Sequence, residues 1–308
     1  YSEDVILSEA DLRKKSSDGV TTLLYLQTLY KADWRAFLER RGIDDHAARD
    51  AVFSAKHSTE TRLWASFRAQ TLARTVEGIM QNEAALRLLA RLERVNDARR
   101  SRRRAGAPKT SRLYAAACDE SPTHPQISLD DLLKLKFGYV VTCQIYGRQS
   151  AQQDPKAKDI EMLLKRFPLL RVAYIDEQRV NRSGASAFYS CLVKHDAATD
   201  GPAEVYRVRL PGNAIVGEGK PENQNHAVVF TRGETLQTID MNQDGFFEEA
   251  LKTRNLVQEF RGPRAPGAPP VVIVGFREHI FTGSVSSLAN YMALQELSFV
   301  TLGQRVLA

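Results

Sequence analysis

Leu170-Arg-Val-Ala-Tyr-Ile175, Ala187-Phe-Tyr-Ser-Cys-Leu-Val193 and Glu204-Val-Tyr-Arg-Val-Arg-Leu210 follow one another with β-branched and aromatic residues near alternate positions, the composition of half-buried strands. A fourth such run, Phe137-Gly-Tyr-Val-Val-Thr-Cys-Gln-Ile145, is separated from the first of these by Lys156 to Arg166, which has helical spacing. Strands alternating with helices predict an α/β sheet. It should be mixed, because Ala187 to Leu210 reads as an antiparallel hairpin. On the same grounds His226-Ala-Val-Val-Phe230, Leu236-Gln-Thr-Ile-Asp240 and Val271-Val-Ile-Val274 are expected to be strands, with helices over Phe246 to Phe260 and Ser284 to Leu297.

Towards the amino terminus the period changes to that of helices, over Val20 to Tyr30, Lys31 to Arg41, Thr61 to Met80 and Asn82 to Leu92. Between the two regions lie Arg99, Arg100, Arg102, Arg103 and Arg104, then Ala-Gly-Ala-Pro. The expected organisation is therefore a helical part over residues 1–95, a basic linker or insertion over 96–126, and the α/β core over 127–308. The chain has 308 residues, 43% of them hydrophobic and 26% charged, which excludes collagenous and low-complexity classes. Its longest apolar run, near Pro269 to Phe276, is far shorter than the roughly 20 residues of a membrane-spanning helix. Because it begins at Tyr1 without an initiator Met, the chain reads as a piece of a longer polypeptide.

Chemistry is concentrated in Leu210-Pro-Gly-Asn-Ala-Ile-Val-Gly-Glu-Gly-Lys-Pro-Glu-Asn-Gln-Asn-His226. A phosphate-binding P-loop is excluded, because the leading glycine is missing from its place and Pro221 follows Lys220 where Ser or Thr is required. What remains is a glycine-flanked lysine with a row of amides, suited to a diphosphate and to sugar hydroxyls. A solvated hairpin loop is the competing reading. Asp240-Met-Asn242-Gln-Asp244-Gly245 matches the first half of a calcium loop, but Leu251 stands where a bidentate Glu is needed. Asp240 is better read as an acid at the carboxyl end of a strand, a ligand-binding position in α/β sheets. Asp244 is expected to cap the following helix.

Cys118, Cys143 and Cys191 lack paired spacing, and the six histidines show no metal-ligand motif. The net charge of +6 leaves a second reading open, a non-catalytic module that docks on a polyanion or membrane surface through the arginine run. That run has no interleaved aromatics, so nucleic acid is not expected as a partner.

The succession Tyr1-Ser-Glu3, Thr61-Arg-Leu-Trp-Ala-Ser-Phe-Arg-Ala-Gln-Thr-Leu-Ala-Arg-Thr75, Val205-Tyr-Arg-Val-Arg-Leu-Pro-Gly212, Gly217-Glu-Gly-Lys-Pro-Glu-Asn-Gln-Asn-His-Ala227, Ile239-Asp-Met-Asn-Gln-Asp244 and Arg277-Glu-His-Ile-Phe281 strongly resembles the 1,3-β-glucan synthase family. Gly283-Ser-Val-Ser-Ser-Leu is closer to its callose-synthase branch. The resemblance implies a GT-A-like glycosyltransferase core, incomplete at its carboxyl end. It would transfer glucose from UDP-glucose to a growing β-1,3-glucan with inversion.

By the same resemblance Lys220, Asp240 and Glu3 correspond to catalytic positions, and Asn223, Asn225, His226 and Asn242 join Lys220 and Asp240 in binding substrate. Glu3 would reach the site only if the Tyr1 segment folds back onto the sheet. The family further implies the cytosolic face of the plasma membrane as location, the rest of a multi-pass synthase as partner and a small regulatory GTPase as another. A divalent cation such as Mg would be an optional cofactor.

Overall fold

In a computed structural model of the chain, the described residues are 4–103, 128–179, 186–214, 219–241, 243–262 and 267–275, with 291, 294, 295, 297–299 and 302. They fall into two units that interleave in sequence. One comprises Tyr1–Ile79, Thr238–Phe246 and Arg264–Ala308, the other Met80–Gln237 and Phe247–Pro263.

The first unit is helical: α1 (Glu9–Arg13), α2 (Thr22–Leu29), α3 (Lys31–Arg41), α4 (Ala48–Ala51), α5 (Ser58–Ser66) and α6 (Leu72–Ile79). Local chemistry sets these boundaries. Ser8 and Asp11 form a reciprocal capping box that opens α1, and the Thr21 hydroxyl accepts from Leu24 N at the start of α2. Gly42 closes α3 in the left-handed conformation, with φ of 64°. The core gathers Leu12, Leu23, Leu26, Phe37 and Val52 around Trp34 and Trp64, whose rings meet edge to face at 4.8 Å. The helix expected over Thr61 to Met80 is two helices, broken after Ser66, where the Thr71 hydroxyl donates to the Ser66 carbonyl and accepts from Arg74 N.

The second unit holds α7 (Gln81–Arg103), α8 (Leu129–Lys136), β1 (Tyr139–Thr142), α9 (Tyr146–Ala151), α10 (Pro155–Arg166), β2 (Leu170–Arg179), β3 (Ser186–Asp196), β4 (Gly201–Arg209), α11 (Lys220–Asn225) and α12 (Phe247–Glu259). The sheet runs β1-β2-β3-β4 and is mixed as expected, β1 pairing parallel with β2 and the other neighbours antiparallel. Asp154 caps α10, and Pro155 occupies its first turn, where no N–H is required. The apolar stripe Ala157, Ile160, Leu163 and Leu164 is buried, and the Tyr146 ring of α9 meets Tyr174 of the sheet at 5.5 Å. On the opposite face, Val140, Ala173 and Leu192 pack against Ala227 and Phe230. The first part of the arginine-rich stretch is helical, since α7 runs on to Arg103; residues 104–127 lie outside the described residues.

Three expected strands are absent. His226 to Phe230 ends α11 and enters a 3-10 turn over Val228–Phe230. Leu236 to Asp240 and Val271 to Val274 have no ladder partner, and Leu236, Val272 and Ile273 are exposed. Their residue types favour strands, yet a strand exists only where a neighbour takes up its N–H and C=O groups. In the first case Gly219, with φ of 91°, and Pro221 in the first turn start a helix instead. The helix over Phe246 to Phe260 is present as α12, whereas Ser284 to Leu297 falls largely outside the described residues.

Candidate functional site

Residues 219–232 cross one face of the sheet from the carboxyl end of β1 towards its amino end, and three successive cross-strand rows receive them. In the first row Ser190, opposite Ile175, lies under His226. In the second, Ala173 and Leu192 lie under Ala227 and Phe230. The third holds Arg171 and Lys194. Lys220 is the first residue of α11, so the fold carries its backbone to the carboxyl end of β1, where open α/β sheets place ligands. Residues 215–218, including Gly217, lie outside the described residues.

Neutral polar groups seat this helix. The Asn223 amide donates to the Thr142 carbonyl at 3.3 Å. The Ser190 hydroxyl lies 2.7 Å from His226 Nδ1 and donates to the His226 carbonyl at 3.1 Å. Because His226 is 7% exposed, burial lowers its pKa to about 4, and the ring is neutral at physiological pH. Among the described residues, His226 Nε2, Asn223 Oδ1, Glu222 Oε2 and Gln144 Nε2 are buried without a hydrogen-bond partner. Glu222 and His226 are four positions apart and Asn223 and His226 three, so these groups share one side of α11. Among the described residues these carboxylate and amide oxygens are acceptors without a partner, and Gln144, outside α11, adds a donor. Of the residues expected to bind substrate, Asn223 and His226 are on this inner side and Asn225 is exposed.

Asp240 belongs to the helical unit. The expectation that it ends a strand is corrected, since 235–240 has no ladder partner. It stands instead in a tight turn, accepting from Met241 N at 2.8 Å, while its own N–H donates to Gln243 Oε1 at 3.2 Å. This turn is fastened to α6. Thr75 Oγ1 donates to the Met241 carbonyl at 3.1 Å, and the Arg74 guanidinium pairs with the Asp244 carboxylate, which is 6% exposed. Asp244 stands three positions ahead of α12 with its carboxylate on Arg74, not in the capping place read from sequence. Gly78 and Gly245 touch backbone to backbone, and a Cβ on Gly78 would lie 2.8 Å from Gly245 N. Only glycine allows that approach.

Glu3 and Asn242 lie outside the described residues. The chain next to Glu3 is bound to α5 and α6: Leu72 N donates to the Asp4 carbonyl, Ala73 N to the Val5 carbonyl, and Leu7 N to the Ser66 hydroxyl. The first turn of α6 thus holds both the segment that follows Glu3 and the turn that carries Asp240. Sequence reasoning missed Ser190, Arg74 and Thr75. Arg74 and Thr75 stand within a quoted motif, but their partners are more than 160 positions away, and Ser190 looks like an ordinary strand residue.

Among the described residues no three His, Cys, Asp or Glu side chains converge as a metal site requires, so the Mg expectation finds no ligand set there. No described helix is long and apolar enough to cross a membrane.

Residues 51–308 match the family model described as 1,3-beta-glucan synthase component. Over its whole length the chain is similar to three curated Arabidopsis thaliana proteins: callose synthase 9 (50% identity), callose synthase 10 (48%) and callose synthase 12 (46%). It spans only 15%, 16% and 18% of their respective lengths.

Proposed function

The chain belongs to the 1,3-β-glucan synthase family, and from that premise we propose that it forms the donor-binding part of an inverting glucosyltransferase with a GT-A-like core. The donor is UDP-glucose. A glucan 3-hydroxyl attacks the anomeric carbon from the face opposite the diphosphate, the C1–O bond to UDP breaks, and a β-linkage results. Lys220 neutralises the diphosphate, and its charge gains importance as negative charge develops on the leaving UDP. Asp240 orients the donor hydroxyls. We assign the intact protein to the cytosolic face of the plasma membrane, as part of an integral membrane enzyme whose other segments supply the acceptor channel and the base that takes the hydroxyl proton.

The observation that carries this reading is the seat of α11, which brings the backbone of the glycine–lysine motif to the carboxyl end of β1 through Asn223 and His226. In the intact synthase, Lys220→Ala and Asp240→Ala are each expected to lower glucan synthesis about 10²-fold or more, the usual loss when one electrostatic contact to the reacting charge is removed. Unchanged synthesis in both would overturn the reading.

A further inference from the structure

The face that seats α11 ends, towards the amino termini of β1 and β2, in a group of cations that the proposed donor site does not use. Arg171 of β2 and Arg232, just past the 3-10 turn, line a cleft of about 150 Å³ with Leu192, Val208 and Phe230 as apolar lining and Tyr206, 56% exposed, at its rim. Neither guanidinium has a hydrogen bond or ion pair among the described residues. Directly opposite Arg171 across the strands is a third cation, Lys194, and like charges in that register repel. The next residue on this face of β3 is Asp196, whose carboxylate accepts from Ala198 N and Thr199 Oγ1 and also feels the Lys194 charge, so that the acid serves Lys194 and not the two arginines.

Sequence position does not explain why two arginines should be kept together here, half-buried and exposed respectively, without an acid. Burial, and after it the charge of Arg232, lower the Arg171 pKa from its ordinary value, yet arginine does not give up its proton in proteins. A bound anion would relieve this conflict. The site is also shaped for one: Gly138 leaves room for the guanidinium, since a Cβ there would lie 2.8 Å from Arg171 Nη2. Two forks of N–H donors facing a single cleft match the oxygens of a phosphate. The volume lies below the roughly 300 Å³ at which pockets for drug-sized ligands begin, which suits a phosphate on a short carbon skeleton.

We propose that Arg171 and Arg232, with Lys194 across the strands from Arg171, form an anion site for a small soluble phosphate ester, distinct from Lys220. The ester's phosphate lies between the two guanidiniums and its carbon skeleton on Leu192, Val208 and Phe230. One continuous segment, residues 219–232, joins this site to Lys220, so occupancy bears on how firmly that segment lies on the sheet.

The test is calorimetric titration of the intact protein with inorganic phosphate and, separately, with glycerol 3-phosphate, at constant ionic strength set with chloride. One saturable site is expected, tighter for the ester. Arg171→Gln and Arg232→Gln should each weaken it about tenfold, the loss of a charge-assisted hydrogen bond. Arg171→Lys, which keeps the charge without the fork, should fall between wild type and Arg171→Gln and serves as a folding control. Lys220→Ala should leave the titration unchanged. The proposal is overturned if wild type shows no saturable binding, if the Arg171→Gln/Arg232→Gln double variant binds as wild type does, or if binding is lost in Lys220→Ala alone, which would place the anion at the glycine–lysine segment.

Discussion

Lys220 begins a helix fixed by neutral groups, Asn223 on the Thr142 carbonyl and His226 on Ser190, above the apolar contacts of Ala227 and Phe230. Asp240 stands in a turn fixed by a charge pair, Arg74 with Asp244, and by the meeting of Gly78 and Gly245. The first attachment is plastic where its apolar residues can repack and is sensitive to protons. The second depends on full charges and on backbone contact, with little room to adjust. Two residues assigned to one reaction are thus held by means that should fail under different conditions.

The largest expected effect is on the turn. Arg74→Ala would strip the guanidinium from the Asp244 side chain, 6% exposed, at a cost of about 3 kcal/mol, read as a lower denaturant midpoint for the helical unit. A loss under about 1 kcal/mol, the range of exposed pairs, would mean the pair is not the fastening. Gly245→Ala comes next, because its Cβ would collide with the Gly78 backbone. It should cost about 1–3 kcal/mol, and a neutral result in thermal unfolding would show that the two segments can separate freely.

Acid should act on the helix seat. His226 is held at about 4 in the folded chain against 6.5 as its ordinary value, so below 6.5 the unfolded chain takes up a proton that the folded one refuses. Stability contributed by the neutral ring is complete above pH 6.5 and is lost as pH falls towards 4, at most about 3 kcal/mol before screening by solvent. Urea unfolding between pH 7 and 4 should show this slope, and His226→Gln should flatten it; an equal slope in the variant would assign the effect elsewhere. The smallest effect is expected from Ser190→Ala, about 1 kcal/mol, since it removes the partner of a buried ring nitrogen. Ser190→Thr, which keeps the hydroxyl, should recover part of it, and equal loss in both variants would point to packing alone.

The contrast also explains what was legible beforehand. The hairpin of β3 and β4 and the helix α10 were readable because their signals are local: alternation in Ala187 to Leu210, and a proline start with an apolar stripe in Pro155 to Arg166. His226 to Phe230 misled because Val228 and Val229 are β-prone, whereas Gly219 and Pro221 upstream had already started a helix. Val271 to Val274 misled because composition does not say whether a neighbouring strand is present. The glycine–lysine motif stood out by its chemistry, but its inner polar side did not, since that depends on which residues of α11 face Thr142 and Ser190. Arg74 and Asp244 are 170 positions apart, and no local pattern links a helix residue to a distant turn.

Calorimetric titration with UDP-glucose, beside ADP-glucose and a Lys220→Ala variant, tests the central claim most directly. The account predicts saturable binding of UDP-glucose, weaker binding of ADP-glucose, and loss of both in Lys220→Ala. Binding of UDP-glucose that persists unchanged in Lys220→Ala would contradict it.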